Sequence, residues 1–454
     1  MRARSHRPVP SSVLTLVLVA ASAAAQTPEA AEKPQAKRWK YDVDVFFAPP
    51  ETKSMGIGRM CHYTPKQGRI WLDSTVFFEH ATDAYRPRTA HLVVVSDDLG
   101  LTWKPWRGPW PGSLTGRATL PDGSLVEVAS GGYERYPKSE LARLRKQGYS
   151  AWDVSGTDYC GIIYALWMRR STDGGQTWTE TPIHERIPFF AHLVPCRSPH
   201  VLNDGTLVAF AYGNRKRSDR SSCYMLRSPD AGETWSLVMM ADGRRSPATE
   251  HIKELDWRTG FTEIFPLIVG RGRVFAMLRT QLGGAAFAVD SEDYGKTWSK
   301  PTETPIRAKH PEVTLLKDGT IVCTYQRRFA RPFGVRARFT KDSGKTWSEE
   351  IILRDDISVS DGLSNPCTLE LSDGTLFTAF AAKKLIDGVP RHFRGMTRWS
   401  RDPEREVAGE SRWTRGYLWV PEIPVPPPIP KFNVEARGKS PWQVQRERDE
   451  RAKR

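Results

Sequence analysis

Residues 261–280 read FTEIFPLIVGRGRVFAMLRT: an apolar run, a tight turn at Arg271-Gly272, and a second apolar run. Two short runs rich in β-branched and aromatic residues, flanking a glycine, specify a β-hairpin. Glu263 stands nine residues before the turn glycine and Arg279 seven after it. At a rise of about 3.3 Å per residue, the two strand ends lie side by side, carboxylate beside guanidinium. Taken alone, this is a cross-strand ion pair at a sheet end, worth little if exposed.

The hairpin is not alone. The same apolar run, glycine turn and apolar run recur around Gly68, Gly123, Gly205, Gly319 and Gly374, giving six copies with Gly272. Between them falls a second signature: SDDLGLTW (96–103), STDGGQTW (171–178), SPDAGETW (228–235), SEDYGKTW (291–298) and TKDSGKTW (340–347). In each, the aspartate can accept backbone N–H bonds across a turn, glycine supplies positive φ, and tryptophan packs beneath the sheet. Five copies at equivalent places mark a structural clip rather than five metal loops or catalytic aspartates. One hairpin plus one clip makes about four strands, the unit of a propeller blade. The sequence therefore predicts an all-β, six-bladed β-propeller over residues 41–419. Residues 396–413 form a worn sixth clip, Tyr41 to Phe47 close the ring against it, and residues 133–159, with KSELARLRKQG, are an insertion on the second blade.

The innermost strand of each blade starts near the axis, so equivalent positions should ring one pocket. Nine residues before the turn glycines stand Arg59, Leu114, Cys196 (followed by Arg197), Glu263, His310 and Asn365. The far end of the second strand adds Arg279 in the fourth hairpin and Arg327, Arg328 and Arg331 in the fifth. Arginines gathered around one axis repel one another unless an anion or carboxylates compensate, and bidentate binding of a carboxylate is the natural use. His310 offers a base near neutral pH; a strand-capping histidine is the structural alternative.

The ends of the chain concern export. Arg2, Arg4 and Arg7, the apolar run Val13 to Ala21 and Ala23-Ala24-Ala25 read as a cleaved signal over residues 1–25. Residues 26–40 are a linker, and 420–454 a Pro-rich, charged tail expected to be disordered. A secreted or periplasmic protein without a membrane span is expected. Six scattered cysteines permit disulfides but form no framework, and no motif calls for a metal or other cofactor. The formal charge of +15 favours acidic partners, and nothing resembles a nucleic-acid module.

The five Asp boxes, the six hairpins and the Glu263-to-Arg279 spacing resemble the sialidase (neuraminidase) superfamily over residues 41–400 or so. That resemblance implies three arginines holding a sugar carboxylate: Arg59, Arg279 and Arg331, with Arg328 as substitute. It matches Glu263 to the glutamate that polarises the nucleophile, and it places a general acid/base in the loop after the first hairpin. Asp83 suits that role best, with Asp73 and Glu79 as rivals. The family nucleophile is a tyrosine nine residues before the sixth turn glycine, where this chain has Asn365. An amide cannot form an aryl glycoside. Tyr325 and Tyr63 are the tyrosines that could approach from neighbouring blades.

The expected activity is exo-acting hydrolysis of an acidic glycan, sialic-acid-like, uronic or sulfated. Arg59, Arg279, Arg331, Arg328 and Asn365 would bind the substrate, and Glu263, Asp83 and His310 would do the chemistry, with water attacking directly as in inverting pairs. A non-catalytic propeller that binds anionic glycans and a polysaccharide lyase are the alternatives.

Overall fold

The computed structural model describes residues 39–411, apart from 49–51, 53, 56–60, 79–88, 107–115, 131–133, 154–157, 164–165, 189, 245–259, 281–283, 361, 364 and 410. The regular structure of the described chain is nearly all β, in six antiparallel sheets of four or five strands plus one three-stranded sheet. The first sheet is built around Cys61–Thr64, Arg69–Phe77, Thr89–Ser96 and Lys104–Pro105, with Ser54–Met55 added beside Arg69–Phe77. The second holds Arg117–Thr119, Leu125–Ser130, Leu166–Ser171 and Thr179–Pro182, and the third His192–Val201, Leu207–Asn214, Ser222–Ser228 and Ser236–Ala241. The fourth holds Phe261–Gly270, Arg273–Thr280, Ala285–Ser291 and Thr302–Arg307. The fifth holds Glu312–Leu315, Ile321–Arg327, Phe333–Thr340 and Ile351–Ile357. The sixth takes three strands from the C-terminal side, Cys367–Glu370, Leu376–Ile386 and Val389–Trp399, and its outer strand, Lys40–Phe47, from the N-terminal side.

The hairpins do not all share one turn. In four of them a leucine carbonyl accepts from the glycine N–H three residues on, as at Leu316 and Gly319 (2.9 Å), and the leucine N–H donates to the residue after the glycine. This is a type I turn followed by a left-handed glycine. The aspartate before each of these glycines accepts from the backbone two residues on, as Asp318 does from Thr320 (3.0 Å). The fourth hairpin differs: Arg271 and Gly272 both have positive φ (51° and 80°), and Gly270 pairs with Arg273, a two-residue primed turn.

The Asp boxes tie one sheet to the one before it. In the fifth, Thr346 donates from both its N–H and its hydroxyl to Asp342, Thr340 donates to the same carboxylate, and Trp347 donates to the Gly344 carbonyl. The box glycine must be glycine for a second reason. A Cβ at Gly295 would collide with the sulfur of Met225, on the third strand of the preceding sheet, and Gly232 lies against Met168 in the same way. Ser400 and Asp402 keep part of this pattern after the sixth sheet, Asp402 N–H donating to the Ser400 hydroxyl (3.1 Å).

The cores lie between consecutive sheets. Separate apolar clusters join the second sheet to the third, the third to the fourth, the fourth to the fifth, the fifth to the sixth, and the sixth to the first. The first strands of neighbouring sheets are adjacent along the same series. A disulfide between Cys61 and Cys367 links the first strands of the first and sixth sheets, 306 residues apart in sequence. At the insertion expected over residues 133–159, the strands Glu134–Pro137, Trp152–Asp153 and Tyr159–Ile162 form a three-stranded sheet with the helix Leu141–Lys146 and a core of Tyr136, Leu144, Tyr149, Ala151, Cys160 and Ile162. No described helix is long and apolar enough to cross a membrane.

Candidate functional site

The site is built where the first strands begin. Thr262 pairs with Arg279 and Ile264 with Leu278, so Glu263 is the extra residue of a β-bulge. A bulge re-aims one side chain without breaking the hairpin. Here it swings Glu263 toward both its neighbour strand and the next sheet. Its Oε1 lies 2.6 Å from Arg279, and its Oε2 lies 3.1 Å from His310 Nε2. The paired ends foreseen from the hairpin count do meet, with a register offset that the count does not contain.

His310 begins the fifth sheet in a left-handed conformation (φ 65°) and is buried. Its Nδ1 lies 2.9 Å from Gln326 Nε2. Asn365, before the first strand of the sixth sheet, satisfies both its neighbours in one amide orientation. Its Nδ2 then donates to His310 Nδ1 (3.0 Å), and its Oδ1 accepts from both terminal nitrogens of Arg197 (2.7 and 2.9 Å). Arg197 also begins a strand bulge with φ 65°, pairs with Glu312 at 3.0 Å, and lies 4.2 Å from the Phe265 ring. Left-handed non-glycine residues cost about 1–3 kcal/mol each and persist where the surroundings over-determine them. Two of them hold this cluster.

Four of the six foreseen ring positions are thus described, and they meet: the third to sixth sheets contribute Arg197, Glu263, His310 and Asn365. In the third sheet the residue is Arg197, not Cys196. The bulge leaves Cys196 paired with Phe210 inside the core and turns the next side chain inward. Arg59, Asp83 and Glu79 lie outside the described residues. Asp73 is elsewhere, on the second strand of the first sheet, where its carbonyl accepts from the buried Arg394. Arg331 is exposed, packs on Phe333 and donates to the Ser358 carbonyl (3.4 Å). Burial lowers the Lys309 pKa, and the charges of Arg279 and Arg328 add to the effect. Tyr325 donates to Glu350 (2.6 Å) and Tyr63 to Ser372 (2.7 Å), so neither hydroxyl serves Glu263.

Gln326, Glu312, Lys309 and Tyr212 were not foreseen. The signal for two of them was present: counting seven residues beyond the turn glycines reaches Tyr212, Arg279 and Gln326 in the third, fourth and fifth hairpins. Burial raises the Tyr212 hydroxyl above its ordinary range, with the neighbouring Cys196 thiol and Glu263 adding to the effect.

The charges sort themselves by contact. Burial alone would raise Glu263, but its bond from His310 and its pairing with Arg279 outweigh that and hold the carboxyl at about 2. Burial lowers His310 below the ordinary histidine value, with Arg279 and Arg197 adding to the effect. Among the described residues Arg197, Arg279 and Lys309 outnumber Glu263 and Glu312, so the cluster suits an anion. Among the described residues no group of His, Cys, Asp and Glu is disposed to hold a metal ion.

With curated proteins the chain has no match. Among solved structures, a protein of unknown function from Dyadobacter fermentans is similar at 23% identity and TM-score 0.58, over 81% of this chain and 100% of that one. A Hadza microbial sialidase is similar at 18% identity and TM-score 0.46, over 76% of this chain and 66% of that one. A Trypanosoma rangeli sialidase, solved with 2,3-difluorosialic acid as a covalent intermediate, is similar at 14% identity and TM-score 0.47, over 79% and 58%. The chain therefore spans about three fifths to two thirds of those two sialidases. The BNR repeat-like domain matches residues 148–378, half of the chain, from the second-sheet insertion to the sixth hairpin. The clips and hairpins that organise these sheets are thus those of a known repeat, and the chain belongs to the BNR repeat-like family.

Proposed function

We propose that the chain is an exported glycoside hydrolase of the sialidase superfamily, built as a six-bladed propeller and acting on an acidic glycan. The observation that carries this reading is the meeting of Arg197, Glu263, His310 and Asn365 at equivalent strand starts, flanked by Arg279, Lys309 and Arg328. Apolar clusters run from the second sheet through the sixth to the first, and contact between the first and second sheets would complete the ring. The signal-like residues 1–25 and a disulfide fit an oxidising compartment.

In this site Glu263 is anionic at any ordinary pH, so it serves as carboxylate, not as acid. Asp83 is then the acid, and water takes the place of the family tyrosine as nucleophile. Arg279, Lys309 and Arg328 receive the acidic group of the sugar, and Arg59 completes the set.

One observation favours a second reading, a propeller that binds acidic glycans without cutting them. Both Glu263 oxygens and both His310 nitrogens are engaged within the protein, and no described tyrosine bonds to Glu263. The test is product release, read by mass spectrometry, from sialosides, uronic-acid glycans and sulfated glycans. The chain without residues 1–25 is compared with its Arg279→Ala variant. A reducing sugar whose release falls at least ~100-fold in the variant supports the hydrolase. An unsaturated product supports a lyase instead, and binding without release, lost in the variant, supports the binding propeller.

A further inference from the structure

The cluster contains one group with no freedom of polarity. Arginine donates and never accepts, so the orientation of whatever it contacts is dictated. Arg197 is anchored by Glu312 at 3.0 Å and presents both terminal nitrogens to Asn365. Asn365 must therefore turn Oδ1 toward Arg197, which leaves only its Nδ2 donor facing His310 Nδ1 at 3.0 Å. Gln326 Nε2 approaches the same ring nitrogen at 2.9 Å. Asn365, whose polarity Arg197 dictates, makes that ring nitrogen the acceptor, and the Gln326 amide donates to it in the orientation it holds here. The single proton of a neutral imidazole then sits on Nε2, which faces Glu263 Oε2 at 3.1 Å.

We infer that Asn365 and Gln326 are positioning residues that lock His310 as the neutral imidazole protonated on Nε2, making it a fixed hydrogen-bond donor to Glu263 rather than a base. The polarity runs one way across four sheets, from Arg197 through Asn365 and His310 to Glu263. An amide is suited to this relay because it offers two lone pairs to the guanidinium and an N–H to the imidazole at once. Asn365 thus has a task of its own, distinct from that of a nucleophile. The charged groups around His310 agree with a neutral ring. Glu263 by itself favours a charged ring, but burial, with Arg279 from the fourth sheet and Arg197 from the third, outweighs it, and Glu312 is paired with Arg197. A substrate entering this site, on the functional reading above, meets a carboxylate whose direction is set before it arrives.

The test is ¹⁵N NMR of the full chain labelled at its 10 histidines, with His310→Asn identifying the His310 resonances. The lock requires an Nε2–H tautomer, with any titration displaced below the ordinary value of about 6.5. Asn365→Asp and Gln326→Glu each place an acceptor at Nδ1. In whichever of them folds, as judged by its thermal melt, His310 becomes doubly protonated and titrates above about 6.5. A proton on Nδ1 in the wild type, a wild-type titration near the ordinary value, or folded variants with an unmoved His310 would each overturn the lock. Glycan release by the same samples is scored separately. A locked histidine in a chain that neither cuts nor binds acidic glycans removes the functional reading and leaves the lock standing.

Discussion

The two ends of the sheets hold carboxylates at nearly the same pKa by opposite means. In the Asp boxes, Asp342 and Asp230 are held at about 2 by hydrogen bonds from Thr346 and Thr234, four residues on, and from the residue two before. At the other end Glu263 is also at about 2, but its partners are Arg279 and His310, the latter from another sheet 47 residues on. One carboxylate is stabilised by a turn that forms with its own octapeptide, the other by an assembly that exists only when the sheets have met. Local bonds recur wherever their sequence recurs, while the site cluster forms once.

Several substitutions would break or sharpen this contrast. The largest effect is expected where a box meets the neighbouring sheet. Gly295→Val puts a branched side chain at φ 75° and against Met225. We expect a loss of about 4 kcal/mol or failure to fold, read from denaturant midpoints. A loss under about 1 kcal/mol would show that the boxes are local clips without a packing role.

The disulfide ties the other end, since Cys367 stands two residues beyond Asn365. Replacing Cys61 and Cys367 together by serine should cost about 2–4 kcal/mol, because the bond closes a long loop in the unfolded chain. A chain that melts unchanged would mean that the sixth-to-first sheet contact needs no covalent help.

Asp342→Ala removes a carboxylate that three groups address and should cost about 1–2 kcal/mol. Glu263→Gln should abolish whatever the site does, while Asp342→Ala leaves the site cluster in place, so the pair of variants separates fold from function.

The smallest effect is in pH dependence. His310 is depressed in the folded chain, so unfolding takes up a proton and stability falls as pH drops below the unfolded value of 6.5. Glu263 is depressed as well, so its contribution is complete above 4.5 and is lost as pH falls toward about 2. Acid melts should therefore lose the first part of this slope in His310→Asn and the second in Glu263→Gln. Identical profiles in all three chains would place the acid sensitivity elsewhere.

Much of this architecture could be read from the chain alone. Turn glycines, aspartates and threonines act within about five residues, so hairpins and boxes announce themselves in one dimension. Counting from the turn glycines also brought Glu263, His310 and Asn365 to one level, because strands of equal length keep register. The count failed by one residue at Arg197, since nothing local marks a bulge that displaces Cys196 into the core. It was also silent on the Cys61–Cys367 pair, which depends on two sheets at opposite ends of the chain becoming neighbours.

What the sequence determined by itself was the repeat, its turns, and the column of polar residues at the strand starts, all set by steric and hydrogen-bonding rules of short range. Only the tertiary structure decided which of those residues touch. The direction of the Asn365 amide, the proton on His310 and the ionisation of Glu263 follow from partners on neighbouring strands and in other sheets, whose charge and polarity act through space rather than along the chain.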